Sequence, residues 1–463
     1  MKKFLNLINI LNAWKLFLTE IDILEKKILY KIYFLYIFFI IIISIIYSFL
    51  FINNFSTLIE KNNYDIIIEK IPFIFGDLIY NLVYKNNYIQ KLWGVDFYLS
   101  RHPFLPVFLA ALLKISKNIF FIIITKNIII FSIFFILSYV FLLKNKNSLL
   151  LFLIILLIPI IIPYNFSVAL NFVYEDNLLV IFLPLLFLSL LANSNYKFLY
   201  SGVILFILYF IKSSVFFIVL FLPLIPIIYN YKKKINYFPL ITSILAIIIW
   251  GGFGYYKTGR FPFLKSVESI NSISLASVYN KEFHLYYPDL SVDLLLEKPN
   301  KNFRTEWEFY DYYDNQNKKF LENNFGQFLS DIILKIKFIF FGTRVDGLNT
   351  ENYLHPKLIS EKKENIPRYS SSGAKLNLDM PYKNPIRISS VFSKFFFNLA
   401  IILAIINLYK KYKKSHRYEC EIYFLLIVIM YLPPFIVGWA TSKHLIPISN
   451  ISLLYLALYF NKK

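Results

Sequence analysis

Long apolar runs separated by short polar stretches dominate the chain. Between Ile32 and Ile52 there is no Asp, Glu, Lys, Arg or His. A helix of that length covers the roughly 30 Å hydrocarbon core of a bilayer. Comparable runs recur at 119–143, 148–164, 177–193, 199–230, 238–256, 392–409, 421–439 and 445–460. The 199–230 run is too long for one span and contains Lys212, so it predicts two helices meeting at an aqueous end. The pattern predicts an all-α polytopic membrane protein of about ten transmembrane helices, with juxtamembrane helices and a mixed external region.

The intervening segments divide the chain. Residues 1–31 read as a cytoplasmic amphipathic lead-in, with Phe4, Ile8, Leu11, Trp14, Leu18 and Ile21 on one helix face and Asn6, Asn9 and Asn12 on another. Lys15 interrupts the apolar stretch and no small-residue cleavage site follows, which argues against a cleaved signal. Residues 32–256 form a transmembrane module that includes an external loop at 53–118. Residues 257–390 are an external, periplasmic-side region, and 391–463 are C-terminal transmembrane helices. Two further stretches, 103–117 and 327–342, are apolar but short, as for helices lying along the membrane interface. No internal repeat supports an inverted-repeat transporter.

Composition narrows the class. With 58% apolar, 20% aromatic and 17% charged residues, the chain could not cover a soluble surface of this size. The net charge of +21 resides largely in lysine clusters beside helix ends, at Lys26, Lys27 and Lys31, at Lys232, Lys233 and Lys234, and at Lys410, Lys411, Lys413 and Lys414. Placing those loops in the cytoplasm satisfies the positive-inside rule throughout and puts both termini inside a plasma (inner) membrane. Topology thus accounts for the charge, and a nucleic-acid partner is disfavoured. Cys420 is the only cysteine, which excludes an internal disulfide and a cysteine-based metal site.

Three polar constellations fall on the non-cytoplasmic face of that topology. The first is Gly76-Asp77-x-x-Tyr80, followed by Asp96 and then Arg101-His102-Pro103-Phe104-Leu105-Pro106. The second is Tyr174-Glu175-Asp176-Asn177, where a helix enters the membrane. The third is Lys443-His444-Leu445-Ile446-Pro447, also at a helix start. Plainer roles stand beside the chemical ones. Asp77, Glu175 and Asp176 could cap helices, Lys212 could snorkel to the interface, and either histidine could be hydrogen-bonded structure. The Gly251-Gly252-Phe253-Gly254 run lacks the strand-to-helix setting of a phosphate loop.

The order of these elements resembles the C-type superfamily of polyprenyl-phosphate-sugar-dependent glycosyltransferases, which includes protein O-mannosyltransferases and lipid A or lipopolysaccharide sugar transferases. The similarity covers most of 32–230 and the last thirty or so residues. The resemblance matches Asp77 and Tyr80 to the acid and tyrosine of the first outer loop, and His102 through Pro106 to a His-Pro-Pro-Leu-Tyr-like element. It matches Glu175 or Asp176 to the acid that opens a later span. Lys212 stands where the family has Arg before Pro, and Lys443-His444 replaces Arg-Tyr, so these two elements depart from the pattern.

What the resemblance implies is transfer of a sugar from a polyprenyl-phosphate donor to a cell-envelope acceptor, by direct displacement with inversion. Asp77 would be the general base, taking the acceptor's proton. Tyr80, Asp96, Arg101, His102, Glu175, Asp176, Lys212, Lys443 and His444 would bind substrate, with Asp96 the second choice of base. Lys212, Lys443 and Arg101 would hold the phosphate. No metal site is assigned and no cofactor is required, although a divalent ion fits the carboxylates. Two other classes fit the same residues: a polymerase or ligase acting on pyrophosphate-linked glycans, and a lipid-linked glycan flippase or transporter.

Overall fold

A computed structural model describes residues 23–52, 76–92, 94–116, 118–142, 149–161, 175–194, 196–229, 233–262, 302–341, 385–413, 419–437 and 442–461. The amphipathic lead-in expected before residue 23 lies outside the described residues. Among the described residues the fold is all-α apart from one small hairpin. In chain order the helices are α1 (Ile23–Ile52), α2 (Gly76–Tyr84), α3 (Phe104–Ile115), α4 (Ile119–Leu142), α5 (Leu149–Ile161), α6 (Asp176–Leu191) and α7 (Lys197–Ile211). They continue as α8 (Phe216–Phe221), α9 (Leu224–Tyr229), α10 (Phe238–Thr258), α11 (Glu306–Asn323), α12 (Phe325–Phe341), α13 (Pro385–Lys413), α14 (Glu419–Tyr431), α15 (Pro433–Val437) and α16 (Ser442–Asn461). Strands β1 (Gln90–Leu92) and β2 (Val95–Phe97) pair antiparallel, and Gly94, at φ 84°, turns the chain between them.

Among the described residues, five segments are long and apolar enough to cross a membrane: Lys27–Ile46, Phe120–Leu142, Lys234–Thr258, Val391–Lys411 and Glu419–Val437. Five shorter apolar segments accompany them: Phe104–Ile115, Leu149–Ile161, Asp176–Leu191, Lys197–Ile211 and Ser213–Ile228. The two sets bury differently. The long helices expose apolar side chains such as Phe34, Phe38, Ile241, Ile248, Ile402 and Ile405, as surfaces that face lipid do. Helix α6 is the opposite, buried on every side from Asp176 to Leu190. A helix apolar all round belongs at the centre of a bundle, and α6 packs against α4, α7, α14 and α16. Helix α10 packs on α7, and α13 packs on α16.

The central helices are also short. At 16 and 15 residues, α6 and α7 fall below the roughly 20 needed to span the hydrocarbon core. The 199–230 run breaks at Lys212 as expected, but its second half is the two short helices α8 and α9, and Lys212 is buried at the break rather than open to water. Helix α7 stops at Ile211, Lys212 is extended (φ −159°, ψ 140°), and a short 3-10 turn at Ser213–Val215 leads into α8.

The glycine run of α10 serves close packing. A Cβ on Gly254 would lie 2.3 Å from Cγ of Pro262 and 3.1 Å from Cδ2 of Leu99, whereas one on Gly252 would meet nothing within 4 Å. Because a proline ring cannot rotate away, Gly254→Ala should cost about 1–3 kcal/mol. Gly252→Ala should instead stabilise by roughly 0.5–1 kcal/mol through the lower entropy of its unfolded chain. Denaturation midpoints of the two purified variants measure the difference, and equal shifts would remove the packing explanation.

Helix α12 covers the stretch expected to lie half-embedded. Phe325, Leu329, Ile333 and Phe341 are exposed along it. Its last turn meets α13, where Phe340 stacks on Phe397 at 5.5 Å and its carbonyl accepts the Asn398 side-chain amide at 2.8 Å.

Candidate functional site

Six of the predicted site residues gather at one end of the bundle. Asp176 opens α6, where a carboxylate suits the positive end of the helix dipole. The extended backbone at Lys212 turns its side chain out of α7 and toward that carboxylate. Its Nζ lies 2.9 Å and 3.0 Å from the two oxygens of Asp176. From the first turn of α16, Nε2 of His444 stands 3.7 Å from Oδ2 of Asp176. The His444 ring stacks on Phe435 at 4.8 Å, and its carbonyl accepts the Tyr431 hydroxyl at 2.9 Å. Phe435 thus packs the imidazole, while Tyr431 holds the backbone that carries it.

A second ion pair adjoins the first. Glu175 precedes Asp176, and its Oε2 lies 3.6 Å from a guanidinium nitrogen of Arg101. All four charged side chains are buried, so each acid is matched by a base and the two pairs together carry no net formal charge. Burial lowers the pKa of Arg101, and the Glu175 carboxylate is the foremost charge opposing that shift. Removing either partner would strand a buried charge. In this structure Lys212 and Arg101, expected to hold a phosphate, hold the two carboxylates instead. An incoming phosphate would compete with Asp176 and Glu175 for those cations.

His102 lies beside Arg101 with its ring against Trp250 (5.4 Å) and edge-on to Tyr209 (5.3 Å). Burial, opposed by a hydrogen bond to the Tyr209 backbone and aided by the nearby Arg101 charge, pushes its pKa down to about 4. The ring is thus neutral near pH 7. Nδ1 is buried and has no hydrogen-bond partner among the described residues, which leaves a lone pair able to accept a hydrogen bond.

The remaining predicted residues are placed differently. Asp77 is the second residue of α2, which lies against α3, but its side chain is outside the described set. Tyr80, on the same helix, faces the Tyr84 ring at 4.7 Å and the Lys85 ammonium at 5.5 Å. Asp96 sits on the hairpin, its side chain 47% exposed and 4.0 Å from Lys91, where water screens the pair. It does not join the buried cluster. Lys443 belongs to the first turn of α16, and its side chain is also outside the described set.

Reading along the chain missed several buried or site-adjacent residues. Tyr88 donates from its hydroxyl to the Arg101 carbonyl at 2.8 Å and meets Trp250 and Phe253 edge-on. Glu306, at the start of α11, is buried and accepts the Tyr98 and Leu99 backbone amides, each at 2.9 Å. An acid ahead of an aromatic-rich helix was a faint signal in a chain full of tyrosine. Lys126, inside α4, is fully buried beside Asn127, whose amide donates to Ser44 at 3.0 Å. A lysine breaking an apolar run was the available clue there.

Among the described residues, no group of three or more His, Cys, Asp or Glu side chains is arranged to hold a metal ion. The chain matches no protein-family model, no curated protein and no solved structure.

Proposed function

We propose that this chain is a membrane glycosyltransferase that moves a sugar from a polyprenyl-phosphate donor to a cell-envelope glycan, lipid or protein. In this reading about ten spans cross a plasma (inner) membrane, both termini are cytoplasmic, and the reaction occurs on the periplasmic or extracellular face. One observation carries it: Arg101, Glu175, Asp176, Lys212 and His444 come from separate parts of the chain to form one buried, charge-matched cluster at a single end of the bundle. Such groups are costly at membrane depth and mark sites that handle polar or charged ligands.

The chemistry divides among them. Lys212 and Arg101 supply positive charge for the departing phosphate, exchanging their carboxylate partners for its oxygens. His102 offers an unprotonated nitrogen to orient the acceptor hydroxyl. Asp77 acts as the general base that accepts the hydroxyl proton as the new glycosidic bond forms and the bond to phosphate breaks. Inversion follows from displacement in one step, with no second carboxylate as nucleophile.

The experiment follows release of radiolabelled sugar from a polyprenyl-phosphate-sugar pool by membranes holding wild type or Asp77→Asn. Transfer by wild type and a loss of about 10²–10⁴-fold in an equally abundant variant is the expected result. Equal transfer by both would keep the enzyme class and discard Asp77 as base. Extension or movement of a pyrophosphate-linked glycan, without consumption of donor, would replace this reading with a ligase or a flippase.

A further inference from the structure

The loop from Tyr98 to His102 delivers Arg101 and His102 into the buried cluster, and it is held from two sides. On one side the Tyr88 hydroxyl bonds the Arg101 carbonyl at 2.8 Å. On the other, Glu306 reaches across 208 and 207 residues of sequence to take the Tyr98 amide on Oε2 and the Leu99 amide on Oε1. The Tyr310 hydroxyl, one turn further along α11, donates to the same Oε1 at 2.8 Å. Aromatic packing closes the joint: Phe97 at the end of β2 meets Phe309 at 5.1 Å and Tyr310 at 6.1 Å, both edge-on. Trp307 bonds Thr258 at the end of α10 through its indole nitrogen at 2.8 Å.

We propose that Glu306 is a positioning residue. From α11 it latches the Tyr98–Leu99 backbone, sets the loop that carries Arg101 and His102, and loosens its hold as the surroundings turn alkaline. The latch is independent of the reaction assigned to the cluster.

The direction follows from the carboxyl's surroundings. Burial raises the pKa of Glu306 to about 7, while the hydrogen bonds from Tyr98, Tyr310 and Leu99 oppose the shift. The titratable groups that couple to it are Tyr310 on its own helix, Tyr98 on the loop and Tyr88 before β1, with Arg101, Asp96 and Glu175 acting on these in turn and Lys257 of α10 5.8 Å from the Tyr98 ring. When Glu306 is neutral, the Tyr310 hydroxyl can reverse and accept its proton, so both amides keep their acceptors. An undocked Glu306 would ionise near the ordinary value of 4.5. Between 4.5 and about 7 the docked carboxyl therefore holds a proton that the undocked one has lost. The extra docking strength is complete below that window, declines as pH rises through it and is gone above about 7.

Hydrogen exchange of the Tyr98 and Leu99 amides tests this on the full chain in lipid nanodiscs, without any substrate. Protection, normalised to the intrinsic rate, should be on the order of thirtyfold greater at about pH 5.5 than at about pH 8.5. Glu306→Gln, which cannot titrate and keeps one acceptor oxygen in place of two, should retain protection at one of the two amides, lose it at the other, and lose the pH step at both. Glu306→Ala should lose protection at both values. Tyr310→Phe removes a donor that favours the ionised form, so its step should move to higher pH. A flat wild-type profile, or an unchanged step in Glu306→Gln, overturns the proposal. Because no sugar transfer is measured, either result stands apart from the fate of the glycosyltransferase reading.

Discussion

Lys212→Ala should lower the stability of the purified protein by about 3–5 kcal/mol and abolish the proposed transfer. The large cost comes from what remains. Asp176 is 2% exposed, and both of its oxygens lose the ammonium that now lies within 3.0 Å. His444, at 3.7 Å, is too distant to take over that pairing unaided. The double variant Asp176→Leu/Lys212→Met removes both charges together and should regain most of the lost stability, since an isolated buried charge is worse than none. It should still fail to transfer sugar, because the cation proposed to hold phosphate is gone. Unfolding midpoints in detergent, set beside transfer rates, separate the two effects. A double variant no more stable than the single would show that the pair is not the source of the cost. Transfer by the double variant would make the cluster structural only.

At the opposite end of the bundle, Lys411→Ala should also cost about 3–5 kcal/mol, with no effect on the site end. Glu421, in the first turn of α14, is 2% exposed. Its Oε1 accepts the Lys411 ammonium at 2.7 Å together with the Asn407 amide, both from α13. Deleting the lysine strands a buried carboxylate. Deleting the acid is milder, because the Lys411 side chain is already 25% exposed and can extend to water. Glu421→Gln should therefore cost about 1–2 kcal/mol, the order of one charge-assisted hydrogen bond. Thermal unfolding of the two variants gives the comparison. A larger loss in Glu421→Gln than in Lys411→Ala would reverse the assignment of which charge is stranded.

Much of the helical framework could be read along the chain. The runs expected at 119–143 and 238–256 are the helices Ile119–Leu142 and Phe238–Thr258, since a long apolar run has few stable forms other than a helix. The break at Lys212 was also legible, because a charged residue followed by two serines cannot extend an apolar span without cost. The stretch 257–390 was harder. Most of its described part is the helix pair α11 and α12, but the mixed polar and aromatic sequence of α11 has no long apolar run to announce it.

The site was legible in its parts and not in its pairing. Arg101, Glu175, Asp176 and His444 could be marked because polar groups at the ends of apolar helices stand out. Nothing local told that Lys212 would meet Asp176, 36 residues away, and spend its charge there. Nor could it tell that Asp96 would stay in water on the hairpin while Glu306 was drawn inward across more than two hundred residues. Apolar patterning is a property of neighbours along the chain, and it settled that this protein is helical and belongs in a membrane. Ion pairing and desolvation depend on which distant helix ends pack together. Only that packing determined which charges are matched, which histidine is held neutral and which acid grips the loop leading to the cluster.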